Sequence, residues 1–305
     1  MLPILSALIP VLILIGLGYG LRQLQLVSDD SWAGLEKLAY YVFFPALLIN
    51  TLARQSLSGL PWPTILIVVV TTCVAAAMAL IVWRNFQKRI DGPTFTSVFQ
   101  GGVRFNSYIA LAVCSALYGQ AGLIAAAVTV AFFIVTVNLL SVSALSIWAT
   151  DNTWSTTAFL REIALNPLIL GCVIGLTLNT TGLGLGGIAG DTVALIGRAA
   201  LPVGLLAVGA AIKVQDIRSH TQPILVSSLV QFLLKPAVVI LLITSLGLTG
   251  VAASVLLLTF VTPVAPSSYI LSRQLGGNAD VMASIIGVQT VLAFFVLPFM
   301  AWWAA

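Results

Sequence analysis

The feature that most constrains this chain is a series of continuous apolar runs, most of them roughly 20 residues long and separated by short polar connections. A helix of about 20 apolar residues crosses the hydrocarbon layer of a bilayer, whereas a membrane β-barrel shows alternating segments of about 10 residues. The 305 residues are 60% hydrophobic and 7% charged, and soluble domains carry roughly 25% charged residues. The sequence therefore predicts an all-α integral membrane protein without a soluble domain.

The order of the apolar runs predicts ten transmembrane helices. The first run has no basic residue before it, which is typical of a span and not of a cleaved signal peptide. The predicted spans are residues 3–21, 35–52, 63–83, 95–117, 121–148, 163–178, 193–212, 223–246, 251–271 and 281–303.

The distribution of Lys and Arg predicts the orientation. The connections after even-numbered spans carry two such residues, Arg54 and Arg198. The connections after odd-numbered spans carry nine: Arg22, Lys37, Arg84, Lys88, Arg89, Arg161, Lys213, Arg218 and Arg273. Because cytoplasmic loops are enriched in Lys and Arg, the odd connections are predicted to be cytoplasmic and both termini to lie outside the cytoplasmic membrane. The same bias accounts for the net charge of +4 without nucleic-acid binding.

Short motifs recur in the same order in the two halves of the chain, with offsets that drift slowly. This pattern predicts a first repeat over residues 1–149 and a second over residues 161–305, joined by a short cytoplasmic connection at 150–160. Five spans per repeat is an odd number, so the repeats must be inverted relative to each other. The matches are Pro10 with Pro167, Pro45 with Pro202, Ser107-Tyr108-Ile109 with Ser268-Tyr269-Ile270, and Ala131-Phe132-Phe133 with Ala293-Phe294-Phe295.

Two predicted spans, the fourth and the ninth, contain residues that a lipid-facing helix would not carry. Residues 100–108 combine two glycines with Arg104, Asn106 and Ser107, and residues 262–269 hold Pro263 and Pro266. Two prolines three residues apart cannot lie in an unbroken helix, because each removes a backbone donor and clashes with the preceding turn. The charge and the amide of residues 100–108 must face a cavity or a partner. Both spans are therefore predicted to be interrupted helices. Inverted repeats with interrupted helices near the bilayer midplane are the architecture of many secondary transporters.

Arg104 and Lys235 are the two cations predicted to lie inside spans. The nine carboxylates fall in loops or at span ends, namely Asp29, Asp30, Glu36, Asp91, Asp151, Glu162, Asp191, Asp216 and Asp280. A buried cation needs a partner, and one hypothesis is an anionic substrate, most simply a carboxylate held by paired hydrogen bonds. The alternatives are that either cation reaches an interface or bonds backbone carbonyls freed by the helix interruptions.

Each of the other polar residues near the interruptions can have two or more roles. Asn106, Ser107, Ser267 and Ser268 can cap a half-helix or bind the ligand, and the helix openings favour an anion. Tyr108 and Tyr269 can line a cavity or pack in the core. In other spans, Asn50, Asn138 and Gln289 can bind substrate, bind a coupling cation, or hydrogen-bond neighbouring helices.

The remaining composition argues against an enzyme and against a metal protein. Cys73, Cys114 and Cys172 lie in predicted spans without metal-ligand spacing, and His220 is the single histidine. The sequence offers no nucleophile with an adjacent base. We therefore expect no catalytic residue, no metal site and no cofactor.

Several motifs resemble the bacterial branch of the auxin efflux carrier family. They are Phe43-Phe44-Pro45-Ala46-Leu47-Leu48, Arg104-Phe105-Asn106-Ser107-Tyr108-Ile109 with Leu117-Tyr118-Gly119, and Pro266 with Gln289-Thr290 through Leu297-Pro298. The resemblance extends over nearly the whole chain. It implies membership of the bile acid/sodium symporter superfamily, two inverted five-span repeats, and a homodimer in which a transport domain moves against a scaffold, as in an elevator.

The resemblance also implies organic-anion transport, of auxin in plants and of dicarboxylates such as malate or malonate in some bacterial members. It places the crossover of spans 4 and 9 at Asn106 and Pro266. The chain departs from the plant carriers at Ser107, where they have proline, and it lacks their long loop between spans 5 and 6.

The sequence thus predicts a secondary carrier of a small organic carboxylate that works by alternating access. Its predicted substrate-binding residues are Arg104, Asn106, Ser107, Tyr108, Lys235, Pro263, Pro266, Ser267 and Ser268. The alternatives are a carrier of the same fold coupled to sodium ions or protons, and a membrane receptor that does not transport.

Overall fold

A computed structural model describes residues 2–54, 60–87, 90–149, 161, 164–212 and 220–303. These residues form α-helices, π-helical turns and short connections, and they contain no β-strand. The predicted connection at 150–160 lies outside the described residues, as do Lys88, Arg89, Glu162, Lys213, Asp216 and Arg218.

The helices of the first half begin with the predicted first span. Pro and Asn or Asp residues mark several helix starts in both halves, because proline fits the first turn and a short polar side chain caps it. The helices are α1 (Leu2–Gln23), α2 (Asp29–Leu38), α3 (Phe44–Arg54), α4 (Trp62–Phe86), α5 (Gly92–Val103) and α6 (Ser107–Trp148).

The helices of the second half follow the same apolar pattern. They are α7 (Pro167–Thr180), α8 (Gly187–Arg198), α9 (Ala200–Ala210), α10 (Thr221–Leu229), α11 (Lys235–Ser245), α12 (Gly250–Phe260), α13 (Ser267–Gln274) and α14 (Ala279–Trp303). α1 packs on α9, α3 packs on α7 and α8, and α6 packs on α12.

Six helical stretches of the described residues are long and apolar enough to cross a membrane. They are Asp29–Arg54, Trp62–Phe86, Gly92–Trp148, Gly187–Ala210, Thr221–Ser245 and Ala279–Trp303. Leu8–Gln23, Pro167–Thr180 and Gly250–Phe260 are shorter apolar helices. The chain is therefore a multi-pass helical membrane protein, while the ten crossings and the inverted repeat stay predictions.

The long helix α6 contains a sharp turn. A straight helix of its 42 residues would extend roughly 63 Å at 1.5 Å per residue, about twice the thickness of the hydrocarbon layer. Gly119 has φ 57° and ψ −139°, a conformation that residues with a Cβ rarely adopt. The chain therefore changes direction at Gly119, between the predicted fourth and fifth spans.

Two π-helical turns each precede a proline. Ala39–Phe43 leads to Pro45, and Val230–Leu234 leads to Pro236. A proline ring clashes with the carbonyl four residues earlier, and a wider turn makes room for it. The second turn positions Gln231 and Lys235 toward the end of α5.

The structure interrupts both helices that the sequence predicts to be broken. α5 ends at Val103, Arg104 has an extended backbone, and α6 begins at Ser107. α12 ends at Phe260 and α13 begins at Ser267, after Pro263 and Pro266. The starts of α6 and α13 are 160 residues apart (267 − 107), between the smallest motif offset of 157 (Pro10 to Pro167) and the largest of 162 (Ala131 to Ala293).

Gly101 and Gly102 lie inside α5 and not in the interruption, contrary to what the double glycine suggests. A Cβ on Gly101 would come within 2.8 Å of Ile285, and a Cβ on Gly102 within 2.9 Å of Leu80. Their role is therefore close helix packing, and the backbone opens only after Val103.

Candidate functional site: a cavity between the two interrupted helices

A cavity of about 720 Å³ lies where the two interruptions meet. Arg104, Asn106, Ser107 and Tyr108 line it from the first interruption, and Ala265, Pro266 and Ser267 line it from the second. The backbone N–H of Asn106 donates to Thr262 Oγ1 over 3.3 Å, so the two interruptions are in direct contact. Most of the predicted substrate-binding residues are thus brought together.

The Arg104 side chain is oriented by an amide from a different helix. Its Nη1 donates to Asn138 Oδ1 on α6 over 3.1 Å, and Asn138 is only 5% exposed. Both side chains line the cavity. A guanidinium presents its N–H donors in a rigid planar fork, a shape that matches a carboxylate.

Asn106 caps a helix and also presents a donor. Its Oδ1 accepts hydrogen bonds from the N–H groups of Tyr108 (3.0 Å) and Ile109 (3.1 Å) at the start of α6. Its Nδ2 has no acceptor among the described residues, although Asn106 is 1% exposed and lines the cavity. A buried amide donor without a partner is costly, so this N–H₂ group is available to a ligand oxygen.

Three helix N-termini face the cavity. α6 begins at Ser107, α7 at Pro167 and α13 at Ser267, and all three residues line it. Asn166 caps α7 through Leu168 and Ile169, whereas α13 has no side-chain cap. Because each helix N-terminus carries partial positive charge, the three helices together favour an anion here.

α2 and the π-helical turn that follows it also line the cavity. Tyr40 accepts a hydrogen bond from Asn166 Nδ2 over 3.1 Å. The ring of Tyr108 stacks on Phe44 with centroids 4.1 Å apart, so it forms a packed wall of the cavity. Tyr40 and Asn166 both line the cavity, and neither was predicted from the sequence.

One carboxylate, which the sequence places at a span end, lies among the cations of this cavity. Glu36 lines it together with Lys37, Arg104 and Arg161. Glu36 lies near the end of α2, which runs on through the π-helical turn into α3. The cavity still holds three cationic side chains against one carboxylate.

A second cavity of about 350 Å³ adjoins the first and shares Glu36, Pro266 and Ile270 with it. Arg22 and Arg273 line it, and Arg22 Nε pairs with Asp29 Oδ1 at 3.0 Å. The loop arginines of the predicted cytoplasmic side thus lie next to the site.

Several predicted site residues do not line the main cavity. Pro263 and Ser268 are buried beside it, and Asn50 lies elsewhere on α3. Gln289 is fully buried and joins α5 to the second interruption, since it donates to Gly101 O over 2.9 Å and accepts from Val264 N–H over 3.0 Å. For Gln289 the helix-bonding alternative is therefore the one that the structure adopts.

Lys235 also lies behind the cavity. Its Nζ bonds the backbone oxygens of Val103 and Arg104 and the side chain of Gln231. Of the alternatives for Lys235, the structure thus has the one in which it bonds carbonyls freed by the interruption. The sequence did not indicate a role for Gln231, because its hydrogen-bond partners Phe260 and Thr262, at and just after the end of α12, are 29 and 31 residues away in the chain.

Comparison with known proteins gives two matches over nearly the whole chain. The family described as "Membrane transport protein" matches residues 3–301. An "Uncharacterized transporter" of Methanothermobacter thermautotrophicus is 22% identical over 295 residues, which are 96% of each protein.

Proposed function

Since this chain belongs to the membrane transport protein family, as its resemblance to auxin efflux carriers predicts, we propose that it is a secondary carrier of a small organic anion. The substrate binds in the cavity between the two interrupted helices. The carrier works by alternating access across the cytoplasmic membrane.

The choice of an anion rests on one observation above all: Arg104 and the N-termini of α6, α7 and α13 converge on a single cavity. A carboxylate suits this lining, because the Arg104 fork and the Asn106 amide both supply hydrogen-bond donors to the same cavity. Glu36 disfavours a second negative group near α2, so the carboxylate belongs on the Arg104 side of the cavity.

Alternating access is supported by the way the interruptions are built. The backbone groups that the interruptions free line the cavity or are bonded by residues of other helical segments, as in carriers whose broken helices form the substrate site. We infer that the crossing point of predicted spans 4 and 9 moves with the substrate, within two inverted five-span repeats. The 160-residue separation of α6 and α13 is in keeping with such repeats.

The direction in which the cavity opens follows from its exposed basic residues. Lys37 and Arg161 are exposed and line the cavity, and both belong to the connections predicted to be cytoplasmic. We infer that the structure represents the inward-facing state, with basic residues at the mouth that attract anions by electrostatic steering.

The proposal is tested first by ligand binding. Purified protein is heated with malonate, malate, indole-3-acetate or chloride at one ionic strength, and a ligand that binds only the folded state raises the Tm. The stabilising carboxylate is then assayed for counterflow in proteoliposomes. We expect saturable counterflow of at least one stabilising acid.

Two results would contradict the proposal. Stabilisation by a carboxylate without any counterflow would instead favour a receptor. If none of the acids stabilises the protein or exchanges, the anion assignment fails.

A further inference from the structure

The ammonium of Lys235 is surrounded by oxygen atoms in the protein interior. Nζ donates to Gln231 Oε1 over 2.8 Å, to Val103 O over 3.2 Å and to Arg104 O over 3.3 Å. Its three N–H groups are therefore all used. The residue is 0% exposed, and no described carboxylate lies within ion-pair distance of it.

The two backbone oxygens are those that the interruption leaves without helical partners. α5 ends at Val103 and the backbone is extended at Arg104, so these carbonyls cannot accept from a following turn. A helix C-terminus carries partial negative charge, which favours a cation. The ring centroids of Phe133 and Phe260 lie 5.3 and 5.5 Å from Nζ, so the faces of these two rings also attract the ammonium.

Gln231 extends the same arrangement to the other interrupted helix. Its Nε2 donates to the backbone oxygens of Phe260 and Thr262, at the end of α12. The amide is thereby held so that its Oε1 faces Lys235. The carbonyl ends of α5 and α12 are thus joined through one amide and one ammonium.

In transporters with broken helices, carbonyls of unwound backbone and of half-helix C-termini coordinate the coupling Na⁺. Here such carbonyls already bind a cation that is covalently part of the chain. We infer that Lys235 is a resident cation that takes the place of a coupling alkali ion at the interruption. Neither the folded state nor transport then requires Na⁺ or K⁺ at this position.

If the chain is the carrier proposed above, its transport should be independent of a sodium gradient; this consequence rests on the proposed function. The tests of the inference use no transported substrate, so they can fail or succeed whatever the carrier's substrate is. Uptake measurements alone would not separate the two proposals.

The first test uses the wild-type protein. NaCl is exchanged for choline chloride at constant ionic strength, and both the Tm and the binding of ²²Na⁺ are measured. We expect the Tm to change by less than about 1 °C and no saturable ²²Na⁺ binding. A saturable rise of the Tm with Na⁺, or ²²Na⁺ binding displaced by unlabelled Na⁺, would overturn the inference.

The second test removes the resident cation. We expect Lys235→Ala to lower the Tm by roughly 5 °C or more, because carbonyls and an amide lose their partner. n-Propylammonium, which replaces the deleted atoms, should restore part of this loss in a saturable way. Lys235→Met should also be less stable but should not respond, since its side chain fills the space.

The control is Lys37→Ala, which removes an exposed lysine and should respond to n-propylammonium no more than the wild type does. Equal responses of Lys235→Ala and Lys235→Met would overturn the inference, as would a Lys235→Ala protein of wild-type stability. If Lys235→Ala does not fold, the ²²Na⁺ measurement on the wild type decides.

Discussion

At the scale of single residues, the site depends on how a guanidinium is held inside a largely apolar protein. Arg104 follows the last turn of α5, where the extended backbone turns its side chain toward α6 and Asn138. The sequence singled out Arg104 from its position in an apolar run. It did not reveal the pairing with Asn138, because the two residues are brought together by the turn at Gly119.

The pairing predicts that Asn138 contributes to binding by orienting Arg104. Asn138→Ala removes a hydrogen bond to a charged group, typically worth about 1.5–3 kcal/mol, so carboxylate affinity should fall roughly tenfold or more. Affinity is measured from the ligand dependence of the Tm. Asn50→Ala is the matched control, since Asn50 does not line the cavity, and equal effects of the two variants would show that Asn138 has no specific role.

At the scale of helices, close packing depends on glycines that face another backbone. Gly171 and Gly175 on α7 meet Pro45 and Ile49 on α3, and Gly197 on α8 meets Leu47. Small residues let membrane helices approach closely enough for van der Waals contact to hold them together. This interface forms without the hydrophobic driving force available in water.

The glycine contacts predict a difference between two Gly→Ala variants. At Gly175 a Cβ would come within 2.9 Å of Leu52 Cβ and 3.1 Å of the Ile49 backbone oxygen, so Gly175→Ala should lower the Tm by roughly 2–4 °C. At Gly16 on α1 a Cβ meets nothing within 4 Å, and Gly16→Ala should leave the Tm unchanged or raise it slightly. Thermal unfolding in detergent measures both, and equal shifts would refute this account of the interface.

At the scale of the whole molecule, the apolar runs predict a helical membrane protein. The polar residues of the fourth predicted span and the two prolines of the ninth predict its two interrupted helices. The sequence could not predict the contacts around the interruptions, because they join parts of the chain that are distant in sequence: Thr262 of the second interruption accepts from Asn106 of the first, and Gln231 and Gln289 come from other helical segments. It also missed Glu36, since its place in the cavity depends on how α2 continues through a π-helical turn. The local sequence pattern thus predicts the helices and their interruptions, whereas contacts between residues distant in sequence determine which side chains form the site.

The proposed inward-facing state predicts which side reaches the cavity. In a protein whose three native cysteines are replaced, Ser107→Cys should react with a membrane-impermeant thiol reagent in inside-out vesicles, and a bound carboxylate should slow the reaction. Ser268→Cys is the control, since Ser268 is fully buried and does not line the cavity. Labelling of Ser107→Cys only from the opposite side would contradict the predicted orientation.

The most direct test of the central claim is carboxylate counterflow in proteoliposomes with two arginine variants. Arg104→Gln removes the cavity guanidinium, and Arg198→Gln removes an exposed one away from the cavity. We predict that Arg198→Gln exchanges the acid at the wild-type rate, while exchange by Arg104→Gln falls at least about tenfold because the charged fork is lost. Wild-type exchange by a correctly folded Arg104→Gln protein would contradict the account.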